Sequence, residues 1–531
     1  MRPHAHADLP GLQSHGAVSD DAPGSAAPPN STAPYAEALR ELAFTRGPSA
    51  LMRASVPGHA ATSTGGVGAY FGADLMCLDI APLTDGIDAD PAGNVTPLDQ
   101  ARELAAQAWG AHTTWFLTSG ASQGNLITCV ALASAATQLR PAQHPSVGGR
   151  LTQQIIVQRS VHSSVMDGLT LAGIDPVTVA PGLDEARGIA HGLTPADLDA
   201  ALSEHPAALG AYVVSPSYFG AVSDIRGLAE VAHRHGVPLI VDEAWGAHLG
   251  FHPRLPVNGL RLGADVAISS THKLGGSLGQ SAMLHLGHGP WADLLGDHIE
   301  RARRMVTSTS ESALLLASLD LARRQLVCDT DAIGASIETA DRVRAGLRRD
   351  SRFQIVTDEM ASHQAVFAID PLRIVIDTRG CGITGHEVRA RLFHDHGIQV
   401  EMSTDAVIVA LVAAGSQLDT ERFINALQHM PHAGQRHTTV HQLPEAGARV
   451  MSLRAATFAA SEIVPASAAV GRISADSLAA YPPGVPNVLP GELITQQVVD
   501  FLQASAQAPH GYVRGAHDPQ VDTMRVLCHT D

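Results

Sequence analysis

The feature that most constrains the fold is a regular alternation of short apolar runs with amphipathic segments in the first two thirds of the chain. Runs such as QIIVQ, AYVVS and VPLIVD are each followed by residues at helical spacing. Short buried strands that alternate with helices form a mainly parallel sheet with helices on both faces. The pattern therefore predicts an α/β fold around a seven-stranded sheet, with strands at Thr113–Leu117, Gln154–Gln158, Pro176–Ala180, Ala211–Ser215, Val237–Asp242, Asp265–Ser269 and Ser281–Leu286.

The length of 531 residues exceeds what one hydrophobic core usually organises, so we expect several units. Residues 1–34 are rich in Ala, Pro, Gly, Ser and His and are predicted to be a disordered tail. Residues 35–350 are predicted to form the large α/β domain, and residues 351–440 a smaller α+β domain. Residues 441–531 form a C-terminal region that contains the proline-rich stretch YPPGVPNVLPGE.

Composition limits the classes of partner. The formal net charge of −17 and the lack of a basic run argue against nucleic acid or an anionic membrane as a partner. No apolar run reaches the length of a membrane span, and the N-terminus lacks the apolar core of a signal peptide. The five cysteines are widely spaced and form no CxxC pair, so we expect reduced thiols in a cytoplasmic protein.

Lys273 is the single lysine of the chain; every other residue among the 35 Lys and Arg is arginine. Arginine suffices wherever a cation is only solvated or paired, but guanidinium does not deprotonate to attack a carbonyl. A chance surface lysine is the plain alternative. Its position argues otherwise, since Lys273 follows a predicted buried strand and precedes the glycine-rich LGGSLG, where active sites of α/β proteins gather. We therefore interpret Lys273 as a Schiff-base lysine.

Other reactive residues fall at neighbouring strand ends. Asp242 ends the VPLIVD strand, and His162 opens a helix after another strand. The turn TSGASQG places Ser119, Gly120, Ala121 and Ser122 at a helix start, which suits a phosphate, with Ser270 and His272 beside Lys273. Each residue has a structural alternative: Asp242 can pair with an arginine, His162 can cap its helix, and Ser270 can close a strand. Together they match the needs of a phosphorylated aromatic aldehyde.

A metal site is the competing interpretation of the 28 histidines. The pairs His233/His235 and His394/His396 are spaced i, i+2 on predicted helices, so their side chains face apart, and no HExxH occurs. Solvated surface histidines are therefore favoured over metal ligands, and no metal is expected.

The segments SSTHKLGGSLGQSAMLH and VDEAWGAHLGFHP resemble the major domain of the Orn/Lys/Arg decarboxylases, which are fold-type I pyridoxal 5'-phosphate (PLP) enzymes. SVPGHA, FLTSGASQGN, VQRSVHSSVMDGLTLAG and, near the C-terminus, AVGRISADSLAAYPPGVPNVLPGE are similar to the same family in the same order. The resemblance covers roughly residues 35–502. It is greatest to the shorter bacterial branch, which lacks an N-terminal response-regulator-like domain.

The resemblance implies a role for each candidate. Lys273 would carry the PLP carbonyl, Asp242 would face the pyridine nitrogen, and His162 and Ala244 would lie on the two faces of the ring. Around the phosphate it implies the residues Ala121, Ser122, Ser270 and His272, with Trp245 beside the phosphate or the substrate entrance. It further implies a homodimer or larger homo-oligomer with active sites at the interface.

The implied reaction is decarboxylation of ornithine, lysine, arginine or a derivative, with Lys273 or His162 returning a proton to the substrate carbon. Family members commonly carry lysine where this chain has Ser163 and Ala60. This loss of positive charge leaves a PLP- and O2-dependent oxidative decarboxylation-deamination, or an aminotransferase-type reaction, as an alternative. A PLP-binding protein without catalysis ranks below both. Glu243, Glu401 and Asp85 are candidates to bind a distal substrate cation.

Overall fold

The computed structural model describes residues 30–45, 53–62, 64–140, 153–431, 444–481, 485–508 and 511–528. The predicted disorder of the N-terminal tail falls almost entirely outside these ranges. Its last residues are packed, because the buried Arg323 donates hydrogen bonds to the carbonyls of Asn30 and Thr32, and Ala33 is fully buried. Pro482 to Gly484, at the centre of the proline-rich stretch, also lie outside the described residues.

Up to residue 350, helices and strands alternate as predicted. The helices are Pro34–Arg40 (α1), Gly66–Phe71 (α2), Ala73–Leu78 (α3), Pro97–Trp109 (α4), Gly120–Leu139 (α5), Ser163–Ala172 (α6), Pro195–Glu204 (α7), Ile225–Arg234 (α8), Thr271–Leu274 (α9), Ala292–Val306 (α10), Ala313–Cys328 (α11) and Thr330–Leu347 (α12). The strands are Thr113–Leu117 (β1), Gln153–Gln158 (β2), Ile174–Val179 (β3), Leu183–Asp184 (β4), Ile189–Ala190 (β5), Ala211–Val214 (β6), Ala221–Val222 (β7), Leu239–Asp242 (β8), Val266–Ser269 (β9) and Ala282–Leu286 (β10).

Seven strands of the described residues form the central sheet in the order β1-β10-β9-β8-β6-β2-β3. Strands β9, β8, β6, β2 and β3 are parallel, and β10 runs antiparallel to both of its neighbours. This confirms the predicted mainly parallel, seven-stranded sheet. The short hairpin β4–β5 and strand β7 lie outside the sheet, and the apolar alternation did not predict them because each has only two residues.

Both faces of the sheet are covered. Ile240 of β8 belongs to a buried cluster with side chains of α5, α6 and α10, whereas its neighbours Leu239 and Val241 pack with α7 and α8. Successive side chains of a strand point to opposite faces, so a strand with helices on both sides must be apolar throughout. This explains why VPLIVD and AYVVS read as continuous apolar runs.

Residues 351–431 contain a second sheet. Its elements are the strands Gln354–Ile355 (β11), Ala368–Ile369 (β12), Arg373–Asp377 (β13), Met402–Ser403 (β14) and Val407–Leu411 (β15) and the helices Val356–Met360 (α13), Gly385–His396 (α14) and Thr420–Gln428 (α15). Strands β11, β13, β15 and β14 form an antiparallel sheet in that order, while β12 pairs with β7 of the preceding unit. Helix α14 begins at a capping box formed by Thr384 and Glu387.

The C-terminal region, residues 444–528, packs onto the edge of the large sheet. It contains the helices Leu453–Phe458 (α16), Ala466–Ala469 (α17) and Gln496–Gln507 (α18) and the strands Ser461–Pro465 (β16), Leu478–Tyr481 (β17), Pro486–Val488 (β18), Tyr512–Arg514 (β19) and Thr523–Leu527 (β20). Arg159 anchors it after β2 by donating hydrogen bonds of 3.1 and 3.0 Å to both carboxylate oxygens of the buried Glu492. This bidentate pair brings residues of β17 to β19 over the ends of the parallel strands.

Among the described residues, no helix combines the length and apolar character that crossing a bilayer requires.

Candidate active site

A cavity of about 700 Å³ opens at the carboxyl ends of β2, β6, β8 and β9. In an open parallel sheet, this edge is where ligands bind. Most of the residues predicted for the site line it, namely Gly120, Ala121, Ser122, His162, Asp242, Ala244, Trp245, Ser270, His272 and Lys273. Ser119 does not line the cavity. It precedes α5, and its backbone N–H donates to the Gln123 side chain at 3.1 Å.

Lys273 lies in the short helix α9, directly after β9. Its Nζ atom is 3.8 Å from the centroid of the Trp245 ring. Burial lowers the pKa of Lys273 to about 8, against the opposing effect of Asp242 and with help from the positive charge of Arg373. At pH 7 about a tenth of the amine is therefore unprotonated, far more than for an ordinary lysine, and this is the form that attacks a carbonyl.

Asp242 is the last residue of β8 and is buried. One carboxylate oxygen accepts a 3.1 Å hydrogen bond from the backbone N–H of Ala244, and the other accepts one of 3.1 Å from the Asn125 amide. The carboxylate is thereby held at the cavity wall. A carboxylate held in this way can accept a hydrogen bond from a ring nitrogen placed in the cavity.

His162 is the N-cap of α6, so the alternative interpretation of a helix-capping histidine also holds. Its Nδ1 atom lies 3.3 Å from the backbone nitrogen and 2.8 Å from the hydroxyl of Ser164, while the ring lines the cavity. Burial lowers the pKa of His162; Asp242 raises it, and Lys273 and Arg514 lower it further. Helix capping and a ring presented to the cavity are compatible, because the cap uses only Nδ1.

The start of α5 suits a phosphate group. Gly120, with φ of +76°, turns the chain from Ser119 into the helix, and no side chain caps the first turn. The first-turn amides of this 20-residue helix therefore face the cavity at Gly120, Ala121 and Ser122. Ser270 and His272 also line the cavity, and the Nδ1 atom of His272 is 2.8 Å from the Ser281 carbonyl oxygen.

Several cavity residues were not predicted. Asn125 and Ser164 connect Asp242 with His162, and Tyr212 donates a 2.8 Å hydrogen bond to the Asn125 side chain. Asp167 of α6 and Arg514 of β19 line the wall on the C-terminal side. The sequence did not single out Asn125, because the first turns of α5 also contain the polar residues Ser122 and Gln123. For Asp167 the available signal was the i, i+4 spacing from Ser163, which places both on one face of α6.

The predicted acceptors of a distal cation do not line the cavity. Glu243 is buried beneath it, where one oxygen accepts a 2.9 Å hydrogen bond from the Gly259 backbone. Glu401 and Asp85 are exposed, and the charge of Glu401 is near enough to Lys273 to raise the pKa of that amine. Among the described cavity-lining residues, the carboxylates belong to Asp242 and Asp167.

Histidines do not assemble a metal site in the described part of the chain, where no group of three or more His, Cys, Asp or Glu side chains has suitable geometry. His233 instead lies 2.9 Å from Asp265, and His235 lies 2.7 Å from Asp199. Both histidines, near the end of α8, thus contact a carboxylate: Asp265 lies just before β9, and Asp199 lies in α7.

The residues present fit PLP. The cavity brings together the Lys273 amine, whose pKa is lowered, the buried carboxylate of Asp242 and the imidazole ring of His162. The uncapped backbone amides at the start of α5 lie at the same cavity. The hydroxyl oxygen of Ser163, which lines the cavity next to His162, is buried without a partner in the described structure. Buried polar atoms without partners are uncommon, and a polar ligand would satisfy such groups.

Comparison with known proteins agrees with this chemistry. The Orn/Lys/Arg decarboxylase major-domain model matches residues 55–420, and the C-terminal domain model of the same family matches residues 438–512. The chain is 34% identical over 451 residues to arginine decarboxylase of Bacillus subtilis (strain 168), covering 82% of this chain and 88% of that enzyme. For arginine decarboxylase of Bacillus anthracis the identity is 35% over 469 residues, covering 86% and 90%.

Solved structures show the same fold. Lysine decarboxylase A from Pseudomonas aeruginosa superposes with a TM-score of 0.75 at 20% identity, covering 93% of this chain and 80% of that chain. The constitutive lysine decarboxylase of E. coli gives a TM-score of 0.73 at 20% identity, covering 94% and 82%. With both domains matched in order and the strand-end residues brought together, the chain belongs to the Orn/Lys/Arg decarboxylase family of PLP-dependent, fold-type I enzymes.

Proposed function

We propose that this enzyme removes the α-carboxylate of arginine or a closely related guanidino amino acid as CO2, using PLP held in the described cavity. The observation that carries the proposal is the convergence of Lys273, Asp242 and His162 on one cavity at the carboxyl ends of parallel strands. The identity of 34–35% to arginine decarboxylases, against 23% to lysine decarboxylases, favours a guanidino substrate.

We assign the cofactor contacts by chemistry. The amides at the start of α5, with Ser122, Ser270 and His272, would hold the phosphate. Lys273 would bind the carbonyl carbon, and Asp242 would accept a hydrogen bond from the ring nitrogen. His162 and Ala244 would contact the ring, and Trp245 would exclude water from the Lys273 amine. Ser119 contributes by shaping the turn, since its own amide is already bonded to Gln123.

When bound, PLP supplies the electron sink for the pair left behind by the departing CO2. The protein would support this role of the cofactor in two ways. Asp242 carries a fixed negative charge where the ring nitrogen would be protonated, and the cavity walls limit water near the reacting carbon. The lowered pKa of Lys273 would also favour the neutral form of its amine when a substrate amine takes its place on the cofactor.

Asp167 is our candidate for the acceptor of the guanidinium group. Its carboxylate lines the cavity and forms no hydrogen bond or ion pair of its own within the described residues. Partial burial raises the pKa of Asp167, while Arg514 and then His162 lower it. A planar guanidinium can satisfy both carboxylate oxygens at once, whereas an ammonium group makes a single point contact.

A substrate panel tests the reaction. Purified enzyme loaded with PLP is incubated with arginine, ornithine, lysine and their hydroxylated forms, under air and under nitrogen, and products are identified by mass spectrometry. We expect each accepted substrate to give the amine left after loss of CO2, which is agmatine for arginine. The amount of CO2 released should be the same under air and under nitrogen. Peroxide together with a ketone or aldehyde, formed only under air, would instead establish the oxidative alternative.

Substitution of Asp167 tests the substrate assignment. We expect Asp167→Asn to raise KM for arginine by about tenfold or more, since a charged hydrogen bond contributes about 1.5–3 kcal/mol. Asp85→Asn removes an exposed carboxylate outside the cavity and serves as the matched control. An unchanged KM in the Asp167 variant would remove this residue from the substrate site.

We also propose that two copies of the chain assemble with their active sites near the interface. Support comes from large apolar side chains left exposed on the segment that leads into the large domain: Val56, Val67, Tyr70, Phe71, Leu83 and Val95. Clustered exposed apolar groups of this kind usually contact another chain. Light scattering on wild type and on a Tyr70→Glu/Phe71→Glu variant tests this, and a monomeric wild type would contradict it.

A further inference from the structure

The side chain of Asn125 connects the carboxylate and the imidazole of the active site. It lies in the second turn of α5, is 1% exposed, and makes three side-chain hydrogen bonds. Its Nδ2 atom is 3.1 Å from Asp242 Oδ2 and 2.9 Å from the Ser164 hydroxyl, and its Oδ1 atom is 2.8 Å from the Tyr212 hydroxyl. All four of these residues are buried.

The orientation of this amide follows from its partners. An ionised carboxylate only accepts hydrogen bonds, so the atom of Asn125 that faces Asp242 must be the NH2 group. The same NH2 group has a second hydrogen, which points at Ser164. The amide oxygen then faces Tyr212, whose hydroxyl donates. Each hydrogen of the amide therefore has one acceptor, and the opposite orientation would place two acceptors against each other.

The direction of the next hydrogen bond follows in turn. Ser164 accepts from Asn125, so its single hydroxyl hydrogen is free to donate to His162 Nδ1 at 2.8 Å. The backbone N–H of Ser164 points at the same nitrogen from 3.3 Å. A nitrogen that receives two donors carries a lone pair and no proton. His162 is thus neutral, with its proton on Nε2.

We propose that Asn125 and Ser164 are positioning residues that hold Asp242 as an anion and His162 as the neutral Nε2–H tautomer. This excludes His162 as the acid that returns a proton to the substrate carbon and leaves Lys273 in that role. In that step an N–H bond of the Lys273 ammonium group breaks, a C–H bond forms at the carbon that lost CO2, and the amine becomes neutral. The assignment to Lys273 rests on the proposed function, whereas the tautomer does not.

The charges around His162 are compatible with a neutral ring. Asp242 of β8 and Asp167 of α6 favour the protonated form, whereas Lys273 of α9 and Arg514 of β19 disfavour it. The two carboxylates and the two cations thus act on the His162 pKa in opposite directions. Burial, the largest effect, favours the neutral form. A neutral imidazole N–H is a far weaker acid than an ammonium group, which makes Lys273 the better proton donor.

Nitrogen NMR on the apoenzyme tests the tautomer without catalysis. The protein is labelled with ¹⁵N-histidine, and the His162 signals are identified among the 28 histidines by their loss in His162→Gln. We expect Nδ1 to show the shift of an unprotonated, hydrogen-bonded nitrogen and Nε2 that of N–H throughout pH 6–8. A protonated Nδ1, or a charged ring at pH 7, would overturn the proposal.

Two variants at Ser164 separate positioning from simple packing. Ser164→Ala removes the donor, and we expect the His162 signals to shift towards a mixture of tautomers. Ser164→Thr keeps a hydroxyl group and should keep the wild-type tautomer. If Ser164→Ala leaves the tautomer unchanged in a folded protein, the hydroxyl does not position His162 and the proposal fails.

Asn125→Asp tests the other branch of the network. A second carboxyl group facing Asp242 forces the two to share a proton, which withdraws negative charge from the ring nitrogen. We expect kcat to fall about 100-fold with little change in KM, together with an altered pH dependence of the visible absorbance of bound PLP. If no amino acid is decarboxylated by wild type while His162 shows the expected tautomer, the proposed function fails and the positioning role stands.

Discussion

The Nζ atom of Lys273 lies 3.8 Å from the centroid of the Trp245 ring, and the guanidinium carbon of Arg373 lies 4.1 Å from the same centroid. Arg373 comes from β13 of the second sheet and is fully buried, so residues of both units meet at this indole. An aromatic face stabilises a nearby cation by about 0.5–2 kcal/mol. Trp245 therefore offsets part of the penalty of placing an ammonium group in a buried site that already contains a guanidinium.

The titration of Lys273 can be followed directly because the chain has no other lysine. In apoenzyme carrying ¹⁵N at the lysine Nζ position, we expect a single resonance that titrates with a pKa of about 8. Asp242→Asn should lower this pKa further, since the Asp242 charge favours the ammonium form. Asp85→Asn, which changes an exposed carboxylate, should leave it unchanged. A Lys273 pKa near 10.5 would contradict the burial of the amine.

The same pKa makes the stability of the apoenzyme depend on pH. Between about pH 8 and the ordinary lysine value of 10.5, the unfolded chain binds a proton that the folded chain has lost, so the free energy of unfolding rises with pH. At pH 7 the buried charge costs up to roughly 3 kcal/mol. Lys273→Met should therefore raise apoenzyme stability at pH 7, with the difference from wild type shrinking towards pH 10.5 in urea unfolding experiments.

Lys273→Met should also abolish function. We expect no measurable CO2 release from any basic amino acid and no covalent cofactor adduct after borohydride reduction, measured by intact mass. Lys273→Arg keeps a positive charge but cannot attack a carbonyl, so it should fail equally. Turnover by the arginine variant would show that Lys273 acts only through its charge.

The buried carboxyl group of Glu243 predicts a contribution to folding stability that falls, rather than rises, with pH. Burial raises the pKa of Glu243 to about 8, against the opposing hydrogen bond from the Gly259 backbone and with help from the Asp242 charge. Between the ordinary glutamate value and pH 8, the folded chain holds a proton that the unfolded chain releases, so this group lowers stability as pH rises. Glu243→Gln keeps the acceptor for Gly259 and should stabilise the protein by on the order of 2 kcal/mol at pH 8. The gain should vanish near pH 4.5, as measured by unfolding at both pH values.

Gly124 is required by packing. A Cβ atom there would lie 2.8 Å from Ile268 Cγ2 and 3.1 Å from Leu117 Cδ1, both in buried strands beneath α5. We expect Gly124→Ala to cost about 1–3 kcal/mol despite its better helix propensity, and to lower Tm. Gly334→Ala in α12 is the matched control, because its nearest atom is on the half-buried His252 ring at 3.2 Å. Equal Tm values for the two variants would show that α5 can shift away from the sheet.

The sequence predicted the strands of the large sheet closely because each is apolar throughout and bounded by turn residues. Helix α4 carries equally clear signals in the sequence, since Thr96 forms a capping box, Pro97 starts the helix and Gly110 ends it in the left-handed region. The elements it missed include helix α7, with ten residues, and helix α18, with twelve, as well as several very short strands. Strands β4, β5 and β7 have two residues each and depend on pairing partners distant in sequence or on a tight hairpin.

The site was predictable where strand ends carry reactive side chains, as at Asp242 and Lys273. The spacing from Ser163 places Asp167 on a known face of α6, but it does not show that this face lines a cavity, because residues of the C-terminal strands such as Arg514 complete the wall there. Glu243 illustrates the same limit: it follows Asp242 directly, yet strand alternation turns it away from the cavity. Adjacent carboxylates in sequence thus lie in unrelated environments.

The single lysine of this sequence lines the cavity at the strand ends, so no other lysine amine is open to reagents. Amine-directed crosslinkers, biotin esters or acylating metabolites would have to compete with PLP for Lys273 or react at the N-terminus. Immobilisation or dye labelling through lysine would therefore report on cavity access, and protection by PLP would measure occupancy of the site.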